Sequence, residues 1–311
     1  MVDIVVTEFM HEPALGELDG EFTVGVDTGL YADREALVRA AAGARALIVR
    51  NQTRVDAWLL GRCPSVTVIG RLGVGLDNID LDACATAEVE VFPATDTNAA
   101  SVAEYVISAV LMLLRGAFLS SSRVLAGEWP RRELVGREAA GKTLGLIGFG
   151  GTARETARRA RGLDMSVVAS DPPIAADDPL WAQTETTPRA LDELLQEADV
   201  VSVHVPLLPS TRHLIDARAI ERMKPGAYVI NAARGGIVDE RALVAALRSG
   251  RLGGAMLDVF ETEPLSAGSI LVGAPNLIVT PHIAGVTEEA NERISVTTVR
   301  NVARALRRRT S

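Results

Sequence analysis

Short β-branched runs alternate along the chain with Ala-, Leu- and Arg-rich stretches whose apolar residues return at helical spacing. A strand buried on both faces reads as a continuous apolar run, so the alternation predicts repeated βα units winding parallel sheets. Strands are expected at Ile4 to Val6, Phe22 to Val26, Ala46 to Val49, Val66 to Gly70 and Val89 to Phe92. A long apolar segment of helical period, Ser101 to Leu114, follows with Asn98 or Ser101 placed to cap it, and it reads as a connecting helix. A second series of strands is expected at Thr143 to Ile147, Ser166 to Ala169, Val200 to Val203, Ala227 to Ile230, Gly254 to Leu257 and Leu277 to Val279. The final stretch, Glu288 to Arg307, again has helical spacing and is expected to pack back on the first domain, which makes that domain discontinuous. The fold class is therefore α/β with two doubly wound parallel-sheet domains, residues 1–97 with 286–311 and residues 98–285. No repeat of solenoid length interrupts this order, and Asp171 to Pro179 reads as a loop.

Composition narrows the function. A length of 311 residues is ample for two domains with their own cores, and an aromatic content of 4% means that Ala, Val, Leu and Ile must build them. The formal charge of −8 provides no cationic field for phosphate backbones, so nucleic acid is not an expected partner. The run Arg307 to Arg309 reads as a solvated tail complementing a helix dipole. Two cysteines, Cys63 and Cys84, exclude a disulfide framework and a cysteine metal cluster, which fits a reducing cytoplasm. The four histidines are scattered without ligand spacing, so no metal is expected. The first residues lack a basic leader and no later apolar run spans a bilayer, so neither secretion nor membrane insertion is expected.

Between the strand ending at Ile147 and a following helix lies Gly148, Phe149, Gly150, Gly151, Thr152 and Ala153, a dinucleotide fingerprint in its Gly/Ala form. Gly148 and Gly150 let the backbone turn tightly and approach a pyrophosphate, while Ala153, Ala157 and Ala160 let the helix pack on the sheet. A tight turn without a ligand explains the glycines alone. It does not explain Asp171 at the end of the next strand, where a carboxylate accepts from the ribose 2′-hydroxyl of NAD and repels the extra phosphate of NADP. NAD is the expected cofactor and the second domain a Rossmann unit.

Hydride exchange at a hydroxyl carbon needs a base, a carboxylate to tune it and a cation to orient the substrate acid. Arg234, Glu263 and His282 supply one of each, all after strands, where open α/β sheets bind ligands. Taken singly, each is more often a solvated surface residue. Their order alongside Gly70 to Asp80, Ser101 to Tyr105, Gly141 to Gly150, Ala198 to Pro206 and Thr280 to Gly285 resembles the D-isomer-specific 2-hydroxyacid dehydrogenase family from about Arg50 nearly to the C-terminus. The resemblance implies that a Rossmann NAD-binding domain is inserted in a flavodoxin-like substrate domain. It implies that Arg234 holds the substrate carboxylate and carbonyl, that His282 gives or takes the proton, and that Glu263, the acid directly before proline, holds the imidazole. It further implies substrate contacts from the amides of Val74 and Gly75, cofactor contacts at His204, Pro206 and Asp258, and a homodimer pairing through the region from Ser101 to Trp129. Where many members carry a bulkier Arg-Ile-Gly, this chain has Gly151, Thr152 and Ala153. Side-chain contacts at Gly151 are lost, and Arg154 either replaces them or is solvated.

The family covers several acids. Arg50, Arg71 and Arg131 resemble phosphate-binding sites of 3-phosphoglycerate dehydrogenases and point to a doubly anionic acid such as 3-phosphoglycerate, since guanidinium forks suit phosphate or sulfonate. The neutral Asn51, Gln52 and Thr53 beside Arg50 also resemble sulfolactate dehydrogenases, and the three arginines read almost equally well as surface charges. If phosphoglycerate is the substrate, this length leaves no room for the C-terminal regulatory domains of some relatives. A glyoxylate or hydroxypyruvate reductase, which needs no such arginines, and an NAD-sensing corepressor of the same fold are the rival readings.

Overall fold

The structure, a computed structural model, describes residues 2–309. The chain divides into two compact units, one formed by residues up to Asn98 together with those from Val286, the other by Ala99–Gly285.

The first unit begins with β1 (Ile4–Val6), β2 (Val24–Val26), α1 (Arg34–Ala40), β3 (Ala46–Val49), α2 (Ala57–Arg62), β4 (Val68–Arg71), α3 (Leu81–Thr86) and β5 (Glu90–Pro93). The strands pair in parallel in the order β2-β1-β3-β4-β5, the flavodoxin-like winding. Because successive side chains point to opposite faces, Val5, Leu47, Val49 and Ile69 pack with Leu37, Leu59 and Cys84 of the helices on one side. Asp33, Asp56 and Asp80 start these helices by accepting from backbone N–H groups of the first turn, each cap contributing about 1 kcal/mol.

The second unit contains α4 (Ala99–Arg115), α5 (Ser121–Leu125), β6 (Thr143–Ile147), α6 (Gly151–Arg161), β7 (Ser166–Ser170), α7 (Pro179–Gln183), β8 (Thr187–Pro188), α8 (Leu191–Glu197), β9 (Val200–Val203), α9 (Ala217–Arg222), β10 (Ala227–Asn231), α10 (Glu240–Ser249), β11 (Leu252–Leu257) and β12 (Leu277–Val279). Its parallel sheet runs β12-β11-β10-β9-β6-β7-β8. Counted from β6, this is the Rossmann order extended by one strand, with the winding reversed between β6 and β9. Leu144, Leu146, Val200, Ile230 and Met256 face α4 and α6, while Ile147, Val201, Val203, Val229 and Leu257 face α8 to α10. Ala153, Ala157 and Ala160 are fully buried against the sheet, as the fingerprint requires.

The chain ends with α11 (Glu288–Arg308) in the first unit, where Ile294, Val299, Val302 and Leu306 cover Ile4, Val6, Ile48 and Val68. Both sheets and the long helices stand where the hydrophobic pattern places them. The exception is β8, a two-residue edge pairing beside β7 that includes Pro188 and is too short to show a period. Among the described residues no single helix is long and apolar enough to cross a membrane.

Candidate active site

In the second unit the fingerprint sits where the winding reverses. Gly148 directly follows β6 at φ +89°, and a Cβ on it would lie 2.7 Å from the carbonyl oxygen of His204, just past β9. Only glycine permits both the left-handed backbone and that approach. Gly150 precedes α6 without any side-chain cap, and a Cβ there would meet open space. The N-terminus of the eleven-residue α6 therefore presents its amides with no side chain covering them, which suits a pyrophosphate. Asp171 follows β7, and its Oδ2 accepts from the Phe149 N–H at 2.7 Å, so the acid is tied to the glycine turn. His204 is partly buried, its Nε2 is 3.0 Å from the Ser202 hydroxyl, and burial pushes its pKa down to about 4, which keeps the ring neutral. Pro206 is exposed, its carbonyl accepting from Thr211, and Arg154 is exposed on α6.

Three loops at the carboxyl ends of β10, β11 and β12 carry Arg234, Glu263 and His282. Glu263 Oε2 lies 2.7 Å from His282 Nδ1, while its Oε1 accepts from the Phe260 N–H at 3.0 Å. The carboxylate is thus fixed at both oxygens, and His282 is half-exposed, leaving its Nε2 edge for a ligand. Arg234 follows β10 in a turn held by Asn231, whose amide donates to the Arg234 carbonyl at 2.9 Å and whose oxygen accepts from the Ala233 N–H at 3.0 Å. Gly235 lets this turn abut the loop carrying Glu263, since a Cβ there would lie 1.7 Å from the Phe260 carbonyl oxygen. Glu261, two residues before Glu263, instead faces His213, 3.2 Å from its Nε2.

Asp258, 1% exposed, accepts from the Thr280 hydroxyl at 2.6 Å and from the amides of Ile283 and Ala284 at 2.8 Å each, and its carbonyl accepts from the His282 N–H at 2.8 Å. The Tyr105 hydroxyl continues this chain, 2.5 Å from Thr280 Oγ1. The oxygens of Asp258 thus clamp the loop that holds His282. The segments that contain Tyr105 and Thr280 lie far apart in the chain, and no local pattern announces their contact.

The substrate candidates of the first unit lie at the ends of β3 and β4. Arg50 Nη2 donates to Asn291 Oδ1 of α11 at 2.9 Å and Nη1 to the Phe9 carbonyl at 3.3 Å. Arg71 is half-buried and folds back so that Nη1 donates to the Leu72 carbonyl at 2.7 Å. Val74 is exposed in the loop after β4, with Gly75 beside it. Arg131 belongs to the second unit and lies exposed beside Trp129. The residue sequence reasoning missed is Glu8, 2% exposed, whose oxygens accept from the amides of Arg50, Asn51, Gln52 and Thr53 at 2.8 to 3.2 Å. An acid two residues past a buried strand was the available signal.

Residues 107–284 match the family described as D-isomer specific 2-hydroxyacid dehydrogenase, NAD binding domain. The chain belongs to that family. It is 59% identical over 98% of its length to an (S)-sulfolactate dehydrogenase of Chromohalobacter salexigens, 99% of which is covered. It is 37% identical over 99% of its length to a D-3-phosphoglycerate dehydrogenase of Methanocaldococcus jannaschii, of which it spans 58%. A crystal structure of a Thermus thermophilus protein superposes with a TM-score of 0.88 at 33% identity, covering 98% of this chain and 97% of that one. Like its family, the protein is an NAD-dependent oxidoreductase acting on the CH–OH group of small 2-hydroxy acids. The glycine turn at Gly148, the uncapped start of α6 and Asp171 fit that cofactor: the first two would meet its pyrophosphate and the last its ribose.

Proposed function

We propose that the protein interconverts 3-sulfolactate and 3-sulfopyruvate, with Arg234, Glu263 and His282 as its catalytic residues. The chemistry rests on the 2.7 Å pair of His282 and Glu263, and the substrate on the 59% identity to a sulfolactate dehydrogenase over nearly all of both chains. NAD+, when bound, accepts the hydride that leaves C2. As the hydroxyl becomes a carbonyl, His282 Nε2 takes its proton, and the Glu263 carboxylate on Nδ1 stabilises the resulting imidazolium. Arg234 receives the substrate carboxylate and polarises the carbonyl in the reverse direction. Arg50 of the first unit meets the sulfonate. The (S) label agrees with a D-specific family, because the sulfur-bearing carbon outranks the carboxyl carbon and inverts the descriptor without changing the arrangement in space.

3-Phosphoglycerate is the other doubly anionic candidate. It is the second reading, supported by Arg50 and by the 37% identity to a D-3-phosphoglycerate dehydrogenase. The protein works as a homodimer, its interface including the exposed Phe118, Leu125 and Trp129. It works in the cytoplasm, where Cys63 and Cys84 remain the buried thiols that they are here.

His282→Ala is expected to lower kcat by about 10²- to 10⁴-fold with NADH affinity retained, the range for loss of a general acid. Arg50→Gln is expected to raise the KM for 3-sulfopyruvate by tenfold or more, about the loss of one charge-assisted contact. Steady-state kinetics with each variant decides. An unchanged kcat in the first removes the assigned acid, and an unchanged KM in the second removes the anion anchor.

A further inference from the structure

β1 and β3 are neighbours in the five-stranded sheet although β2 and α1 separate them in the chain, so the winding of the first unit reverses between them. Open α/β sheets bind ligands at the carboxyl ends of such strands. Glu8 stands two residues past β1 and Arg50 directly past β3. Together with Phe9, Tyr31, Gln52 and Asn291 they line a cavity of about 340 Å³. Among all the residues lining it, only Glu8 and Arg50 carry charge, and Tyr31 is the one other titratable group.

Arg50 is steered toward this cavity by Asn291 and the Phe9 carbonyl, with its guanidinium 5.8 Å from the Phe9 ring centroid. Glu8 lies beneath the loop that carries it, its two oxygens serving four consecutive amides. A glutamine there could accept with only one oxygen and would turn an NH₂ group toward N–H donors, so the bonding demands a carboxylate. That carboxylate is also a buried negative charge. Burial pushes the Arg50 guanidinium below its ordinary value while the charge of Glu8 acts in the opposite direction, so the two groups sense each other.

We propose that Glu8 is a specificity-determining residue, its buried carboxylate offsetting part of the Arg50 charge so that the cavity takes a singly charged sulfonate and disfavours a doubly charged phosphate. This rests on the reading of Arg50 as the anchor of the second anionic group. The attraction a ligand gains from Arg50 grows in proportion to its charge, whereas the cost of removing it from water grows with the square. Weakening the net field therefore penalises the dianion first. The neutral donors of Asn51 and Gln52, both lining the cavity, suit a group that needs hydrogen bonds more than further cations.

The test is the ratio of kcat/KM for 3-phosphohydroxypyruvate to that for 3-sulfopyruvate, measured at saturating NADH between about pH 5 and about pH 8. The sulfonate stays singly charged across this range while the phosphate loses its second proton near about pH 6. Contributions of His282 and of cofactor binding are common to both acids and divide out. The ratio is expected to rise about five- to tenfold as the pH falls, in line with roughly one kcal-scale charge interaction. Glu8→Gln is expected to raise the ratio at pH 8 by a similar factor, about five- to tenfold, and to flatten its pH dependence, whereas Glu8→Asp, which keeps the charge, leaves the ratio near wild type even if both rates drop. A flat wild-type ratio overturns the proposal, as does a Glu8→Gln variant in which both acids lose activity in proportion. Should Glu8→Gln not fold, the wild-type series decides alone. If the wild type reduces neither acid, the reading of Arg50 falls instead, an outcome distinct from the other two.

Discussion

His204 shows at the residue scale how the partial burial of one imidazole ties stability to pH. Burial holds its folded pKa near about 4, below the 6.5 of the free side chain, so the unfolded chain binds more protons between those values. Its contribution is fully present above about pH 6.5 and is lost as the pH falls toward about 4, by at most about 3 kcal/mol. His204→Asn, which cannot protonate, is expected to lose stability relative to wild type at pH 7.5 but to close that gap by pH 5, read from urea unfolding at both values. A gap that widens at low pH contradicts the assignment. Single residues were unevenly legible in the sequence. Gly148, Asp171, Arg234, Glu263 and His282 each lie in a short segment whose neighbours announce a turn or strand end. Glu8, Asn291 and the Tyr105 to Thr280 contact were not legible, because their partners lie 42 to 45, 241 and 175 positions away. Such contacts are created by the sheet order, which no local pattern states.

Among the elements, the strands β1, β3, β6, β9 and β12 agree with their apolar runs to the residue. β4 and β5 start later than their runs, since Val66 and Val89 are buried before pairing begins. The stretch after α4 behaves differently. A short 3₁₀ turn at Ala117–Ser120 and the five-residue α5 leave Phe118 62% exposed, Leu125 88% and Trp129 79%. Side chains of this size contribute about 1.5 to 3 kcal/mol each when buried, which is what the proposed interface would gain by covering them. For the proposed homodimer, sedimentation equilibrium is expected to give twice the chain mass, and Leu125→Glu with Trp129→Glu is expected to give a monomer of unchanged helix content. A wild-type monomer, or a double variant that remains dimeric, removes this stretch as the interface.

For the molecule as a whole, the two sheet orders place the chemistry. Reversal of the winding at β6 and β9 sets the glycine turn against His204, and reversal at β1 and β3 sets Arg50 above Glu8. The α/β class and both series of strands were legible from hydrophobic period, because parallel strands buried on both faces are continuous apolar runs. The substrate was not, because a guanidinium accepts phosphate and sulfonate alike and only the charges around it separate them. The measurement that bears most directly on the account is NADH oxidation by the purified protein with 3-sulfopyruvate, 3-phosphohydroxypyruvate, hydroxypyruvate, glyoxylate and pyruvate under one set of conditions. The account predicts the highest kcat/KM with 3-sulfopyruvate. A preference for an acid without a second anionic group would contradict the Arg50 pocket while keeping the dehydrogenase. NADH binding without turnover of any of them would contradict the enzyme itself and favour a cofactor-sensing protein.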